Sequence, residues 1–388
     1  MRSDQYTLTP ATVRALAHQT LAHALAWRDI GSRATAGRLL DLVLLAAALA
    51  SSVSALVKRF RFGFSHETAR NALAANRTDP AHLTRRLLDA LHQLTGRSLR
   101  RRRWVLAIDE HRDPFYGDRS TPGITGGQKK HGTKYAFAYA TAVLVHHRAR
   151  FTVGLLPLTG GHKPHQVVEA LLNQVRDRGP RLRGVVLDSG FDSGDTLLLL
   201  QRRNLSYSVP PRRKGNGRNA RNAVWELADG TVTTVRGKTD VGNRPVTTAV
   251  VVRQRRGEPT KKVYAFGGWS EREGREQAER ARLARRWYRK RFGIESSYRQ
   301  MREGKARTTA TDGAYRLLLV GVALVLRQAW VWLSRQLAKQ RGLPPSAWVG
   351  ELSLRRMLDW LADAVRADYK EEQGIPLDSP LPSLADAA

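Results

Sequence analysis

Two short apolar runs, each closing on an aspartate, restrict this chain more than any other feature. "WVLAID" (104–109) ends on Asp109, and "GVVLD" (184–188) ends on Asp188. Apolar runs of this length, bounded by polar residues, are the mark of buried strands. "KYAFAYATAVLVHH" and "ARFTVGLLPL" read as two further strands, antiparallel neighbours joined near His147–Arg148. A helix is expected from about His165 to Arg178 and another near 195–204, followed by the strand "LSYSVPP". The order is therefore three strands, helix, strand, helix, strand.

That order matches the ribonuclease H-like fold, an α/β architecture with a mixed sheet flanked by helices. The fold sets one carboxylate on the first strand and a second just after the fourth. Asp109 and Asp188 stand in those places, so a third is expected from a helix late in the domain. Around this catalytic region, 101–335, the texture differs. Residues 1–100 read as a helical DNA-binding domain. Near 51–75, a helix, a turn containing Gly63 and a second helix capped by Ser65 resemble a helix-turn-helix, with His66, Glu67 and Arg70 pointing outward. An ordinary helical hairpin is the alternative. A β-rich insertion, 211–270, opens on the basic loop "RRKGNGRNAR" and contains turn signals such as Asp229-Gly230. Residues 336–388 form a helical C-terminal region, a candidate for dimerisation, with the amphipathic stretch "LSLRRMLDWLADAVRADYK".

Composition narrows the class of partner. Sixty-six Lys and Arg face 34 Asp and Glu, a formal net charge of +32, yet 41% of the chain is hydrophobic. This is a folded protein with a strongly positive surface, and nucleic acid is the commonest polyanion such a surface meets. There is no cysteine, which excludes disulfides, thiolate metal sites and a cysteine nucleophile. Any metal must be held by carboxylates or histidines. The start "MRSDQYTLTPATV" lacks the apolar run of a signal peptide. "LLDLVLLAAALA" (39–50) is too short to cross a bilayer, and 317–333 is broken by Arg327 and Gln328. Both are expected to be buried helices of a cytoplasmic, nucleoid-associated protein with no membrane partner.

"WYRKRFGIESSYRQMREGK" (287–305) raises a separate question, because one carboxylate, Glu295, sits among Arg289, Lys290, Arg291, Arg299 and Arg302. On a helix at 100° per residue, Tyr288, Arg291, Glu295, Tyr298 and Arg302 share one narrow stripe. Leu283, Trp287, Ile294 and Met301 form an adjacent apolar stripe able to bury against the sheet. A solvated ion-pair face would not need that apolar border. The pattern predicts one long helix, about 271–303, holding Glu295 beside Asp109 and Asp188. Gly293 in its middle costs roughly 1 kcal/mol against alanine and needs a packing or ligand reason.

Tyr288-x2-Arg291-x3-Glu295-x6-Arg302 resembles the Tyr-x2-Arg-x3-Glu-x6-Lys signature of DDE transposases of the IS-four type, from bacterial and archaeal insertion sequences. "VVLDSGF" (185–191) resembles that family's segment around its second aspartate, and "AIDEHRDPFYG" (107–117) its first-aspartate region, especially in the ISH-three-like branch. The β-rich insertion is also a family feature. The chain departs from the pattern at Arg302, where the family has lysine, and at Ser189, where it usually has arginine. The resemblance implies a catalytic triad of Asp109, Asp188 and Glu295 holding two Mg²⁺ or Mn²⁺ ions about 3.5–4 Å apart, Asp109 bridging both. It further implies DNA contacts from Tyr288, Arg291, Tyr298 and Arg302, with a stacked arginine or a structural tyrosine as the alternative. Its partners would be double-stranded DNA, as insertion-sequence ends and as target, and a second copy in a synaptic homodimer. Trp225 or Trp269 would stack on a flipped base, with a core tryptophan as the plainer reading.

Other chemistry-bearing residues compete. Asp113, Asp192 and Asp195 rank as caps or loop residues, because only Asp109 and Asp188 end apolar runs. His111 reads as structural, and His146, His147, His162 and His165 fit no zinc spacing. Two other functions share parts of this pattern: a ribonuclease H-like endonuclease or resolvase without strand transfer, and a decayed DNA-binding protein.

Overall fold

The computed structural model describes residues 7–95, 99, 103–127, 129, 132–146, 149–213, 222–254, 260–268, 276–344 and 350–371. Trp269, most of the basic loop 212–221, the His147–Arg148 junction and the final seventeen residues lie outside these. Five helices come first: α1 (Pro10–Leu25), α2 (Ala36–Ala48), α3 (Val53–Arg59), α4 (His66–Ala75) and α5 (Pro80–Gln93). Thr9, Thr35, Ser52, Ser65 and Asp79 each accept a backbone N–H at the start of their helix. These bonds satisfy donors that the first helical turn leaves without partners. Between α3 and α4 the chain turns through Gly63, whose φ of +80° only glycine adopts freely.

The sheet follows. β1 (Arg103–Pro114), β2 (Ala136–His146) and β3 (Ala149–Leu158) lead to α6 (Pro164–Asp177), β4 (Arg181–Leu187), α7 (Gly194–Arg202) and β5 (Tyr207–Val209). β6 (Val232–Lys238), β7 (Pro245–Gln254) and β8 (Lys261–Gly267) come from the insertion. All eight strands form one mixed sheet in the order β3-β2-β1-β4-β5-β8-β7-β6. The insertion thus extends the same sheet, β8 pairing antiparallel with β5. The chain ends in α8 (Gln277–Tyr288), α9 (Phe292–Glu303), α10 (Gly313–Gln340) and α11 (Leu354–Arg366). The expected α/β class, a mixed sheet with flanking helices, is the observed one.

Two elements depart from the sequence reading. β1 does not stop at Asp109; it pairs with β2 as far as Pro114↔Ala136. What stops is its parallel neighbour β4, whose last pairing is Ile108↔Leu187. The other departure is the long helix expected over 271–303. Residues 271–275 lie outside the description, and the remainder divides at a 3-10 turn, Arg289–Arg291, into α8 and α9. The apolar stripe still buries: Leu283, Trp287, Ile294 and Met301 are all in the core.

One apolar cluster joins the N-terminal helices, one face of the sheet, α10 and α11. α10 is long and apolar enough to cross a membrane, but 94% of its most apolar window is buried inside the protein. Its polar residues have partners there. Gln328 accepts from the backbone N–H of Thr152 at 2.7 Å and donates to the carbonyl of Leu91 at 2.6 Å, fastening α10 to β3 and α5. Arg327 donates to the carbonyl of Arg150. A Cβ on Gly321 would stand 2.2 Å from the Leu87 side chain, so glycine permits the close crossing of α10 and α5.

Candidate active site

The register of β1 against β4 brings the first two carboxylates together. Because Ile108 lies opposite Leu187, Asp109 and Asp188 occupy the next equivalent positions on adjoining strands, where backbones run about 4.8 Å apart. Past Leu187 the chain leaves the sheet through a 3-10 turn, Ser189–Phe191, so Asp188 is freed from ladder pairing.

α9 delivers Glu295, and a buried tyrosine fixes how. The Tyr298 hydroxyl donates to the backbone carbonyl of Asp109 at 2.8 Å and bonds Thr141 Oγ1 at 2.7 Å. Thr141 is the β2 residue opposite Asp109. One phenol thus ties α9 to both strands at the level of the first carboxylate, one turn from Glu295. Burial pushes its ionisation well above the ordinary phenol value, so it remains a donor. On the neighbouring surface of α9, a Cβ at Gly293 would come within 3.0 Å of Arg150 Nε, which gives that glycine its packing reason.

All three carboxylates converge on one guanidinium. Arg291 Nη1 lies 3.1 Å from Asp109 Oδ2 and 3.6 Å from Asp188 Oδ1, and Nη2 lies 2.6 Å from Glu295 Oε1. Its Nε donates to the Tyr288 hydroxyl at 3.0 Å. Asp109 and Arg291 are each 8% exposed, whereas the Asp188 and Glu295 side chains are 37% and 48% exposed. The site therefore has a buried floor and an open rim. Burial pushes the Asp109 carboxyl up to about 7; Arg291 pulls it down and the Asp188 charge adds to the rise. Asp109 Oδ1 accepts the Glu110 backbone N–H at 2.8 Å.

These placements correct part of the sequence reading. Tyr298, expected to touch DNA, is buried against the strands and positions the helix instead. Tyr288 is buried too, its ring against Tyr264 and its hydroxyl on Arg291. Arg291, expected to clamp phosphate, is engaged by the three carboxylates. Of the four residues, only Arg302 is exposed. His111 is buried on β1 with its ring 5.1 Å from that of Tyr298. Asp192 and Asp195 accept backbone N–H groups from Arg212 and from Asp240 and Val241 respectively, which are loop-fastening bonds.

One residue was missed. Arg212 follows β5, and a Cβ on Gly190 would stand 3.2 Å from its guanidinium and 3.9 Å from Asp188 Oδ2. A cation therefore borders Asp188 where Ser189 supplies none. Only the basic run at 212–221 hinted at it. Trp225 lines a cleft with Tyr264, Tyr288 and Phe292, and the Arg213 guanidinium lies 5.5 Å from the Trp225 ring centroid.

Among the described residues, no three His, Asp or Glu side chains are grouped as the ligands of one metal ion; here a guanidinium stands between the three carboxylates. The donor set nonetheless suits hard divalent cations, being oxygen-only and already directed at a single positive charge.

Comparison with known proteins agrees with this geometry. Residues 100–326 match the family described as the transposase DDE domain. No curated protein matches the chain in sequence. Among solved structures it is similar to the cryo-EM structure of a piggyBac transposase synaptic complex with hairpin DNA. The TM-score is 0.58 at 14% identity, over 95% of this chain and 82% of that one. At that identity the likeness is one of fold.

Proposed function

Given that this chain belongs to the DDE-domain transposase family, we propose that it cuts DNA at the ends of a mobile element and joins those ends to target DNA. The observation that carries the proposal is the convergence of Asp109, Asp188 and Glu295 on Arg291 inside the family-matched region. Asp109, Asp188 and Glu295 are the residues to hold Mg²⁺ or Mn²⁺, which when bound would polarise the phosphodiester and activate the attacking oxygen. Water first attacks phosphorus at the element end, the P–O3′ bond breaks, and a 3′-hydroxyl is freed. That hydroxyl then attacks a target phosphodiester and displaces another 3′-oxygen, so neither ATP nor a protein-bound intermediate is needed.

The chain's own residues have separate parts in this. Arg291 offsets the crowding of three negative charges and keeps the carboxylates oriented. Tyr298 sets the height of Glu295 over Asp109. Exposed Arg302 on α9 and Arg212 beside Asp188 would meet phosphates near the cut. The finer assignment, to the IS-four type, rests on the Tyr288–Arg302 spacing and keeps the Arg302 departure; a synaptic homodimer follows from the two element ends such a reaction must bring together.

The test is incubation of purified protein with labelled duplex carrying the DNA that flanks its gene, with Mg²⁺ or Mn²⁺ and without, beside Glu295→Gln. Metal-dependent nicking and joined products, both lost in the variant, are expected. Nicking without joining would establish the endonuclease reading instead, and binding without cleavage in any metal would leave a DNA-binding relic.

A further inference from the structure

A second groove, of mixed apolar and polar lining, lies away from the carboxylates, between α4 and the segment 307–312 that follows α9. It encloses about 680 Å³. Its walls include His66 and Arg70 on one side, Arg307, Thr309 and Thr311 on the other, and Ser54 at one end; all six are exposed. Arginine and small hydroxyl side chains are the groups that bind phosphate oxygens of duplex DNA.

The far wall is held firmly from behind. The Arg307 backbone N–H donates to the carbonyl of Ser51 at 2.9 Å. Arg316 Nε donates to the carbonyl of Ala310 at 2.6 Å, and Thr308 Oγ1 accepts from the N–H of Ala310 at 3.0 Å. The carboxylate that lines the groove is already engaged: Asp312 pairs with Arg77 and caps α10 by accepting from Tyr315 N–H. Glu67, outside the lining, lies 3.6 Å from Arg70, both side chains well exposed. Arg70, Arg77 and Arg307 outnumber Asp312 in the lining, so the groove carries a net positive charge, and among the described residues no carboxylate meets Arg307.

Its place relative to Glu295 gives it meaning. α9 carries Glu295 in its first turn and exposed Arg302 in its last, then runs directly into the 307–312 segment. From Glu295 to the helix end at Glu303, α9 rises about 12 Å. On B-DNA, at about 3.4 Å per base pair, that is roughly three to four base pairs.

We propose that this groove seats the sugar–phosphate backbone of duplex DNA a few base pairs from the phosphodiester held at Glu295, so that α9 links the scissile position to α4. The partner is duplex rather than single-stranded. The cleft beside Trp225 presents several aromatic faces suited to unstacked bases, whereas the exposed residues of this groove are arginines, hydroxyl side chains and one imidazole, and its one aromatic ring, Tyr315, is half-buried. The identity of the partner as DNA rests on the function proposed above; the existence of an anion-binding trough does not.

The experiment is fluorescence anisotropy of a labelled duplex of arbitrary sequence, titrated with the full-length protein across about 50–200 mM salt. The proteins are wild type, the Arg70→Ala/Arg307→Ala double variant, and Arg176→Ala as a control from exposed α6 surface. Each lost phosphate contact lowers the slope of log affinity against log salt by about 0.9, so the double variant is expected to fall by about two and the control not at all. A double variant with the wild-type melting temperature and an unchanged slope would overturn the inference, as would an equal fall in Arg176→Ala. The two proposals fail separately. Wild type that cleaves while the double variant keeps its slope removes the groove alone. Wild type that never cleaves, but shows the slope change, removes the transposase reading alone.

Discussion

Asp109 and Asp113 stand four residues apart on β1 and project from the same face of the sheet, yet their surroundings differ in kind. Asp113 meets two cations, Lys305 Nζ at 2.5 Å and Arg316 Nη1 at 3.2 Å, all three groups largely buried. Asp109 shares one cation, Arg291, with Asp188 and Glu295. The first carboxylate is more than neutralised, and its role is to lock the end of α9 and the start of α10 onto β1. The second belongs to a cluster with surplus negative charge, and burial holds its pKa high. A folded protein keeps such a deficit only where something else supplies positive charge. The contrast sets a carboxylate matched by two cations against one that shares a single cation with two others, on the same strand.

The largest effect expected from this contrast is on chemistry. Asp109→Asn should lower DNA cleavage by on the order of 10³-fold or more, while its melting temperature in metal-free buffer stays level or rises, because the crowding of three carboxylates on one guanidinium is relieved. Cleavage assays beside thermal melts check both halves, and a variant that melts early but still cuts would reverse the assignment. Asp113→Asn should do the opposite. It strands two buried cations and should cost about 3–5 kcal/mol of stability, with cleavage retained at temperatures where it stays folded. Equal melting of Asp113→Asn and wild type would break the comparison from the other side.

A pH dependence comes next in size. An unfolded aspartate titrates near 3.9, on the order of three units below the folded value of about 7. Between those values the folded state holds a proton that the unfolded state has released, so stability falls as pH rises through the window and levels off above it. Metal-free wild type should lose stability from about pH 4 to 7 relative to Asp109→Asn. Denaturant melts across that range decide it, and parallel curves for the two proteins would contradict the raised pKa.

Much of the fold was legible because it is written in local pattern. The apolar runs located β1 and β4, and the alternation and turn residues of 211–268 marked an insertion made of strands. What escaped was set by tertiary pairing. β1 continues through the polar residues Glu110–Pro114 because β2 offers it a backbone ladder, whatever its side chains. The break at Arg289–Arg291 has neither proline nor glycine to announce it. At the site, the three carboxylates were readable as residues but not their shared counter-ion, since arginine is exposed by default and Arg291 is buried. The partners of Asp113 lie about two hundred residues away, beyond any spacing argument.

The smallest predicted effect bears on the sharpest correction. If Tyr298 were a DNA contact, Tyr298→Phe would weaken duplex binding and leave the melting temperature alone. The structure instead gives its hydroxyl to the carbonyl of Asp109 and to Thr141, so the loss should fall on stability, about 1–2 kcal/mol for a buried hydrogen-bonding group. Cleavage should drop several-fold, because Glu295 would lose its fixed height over Asp109 and small misplacements of a catalytic group are costly. Duplex affinity and its salt slope should match wild type. Anisotropy, thermal melting and cleavage on one preparation separate the two pictures. Weakened binding at unchanged stability would return Tyr298 to the DNA surface; lowered stability with intact binding would leave it as the residue that fastens α9 to the strands.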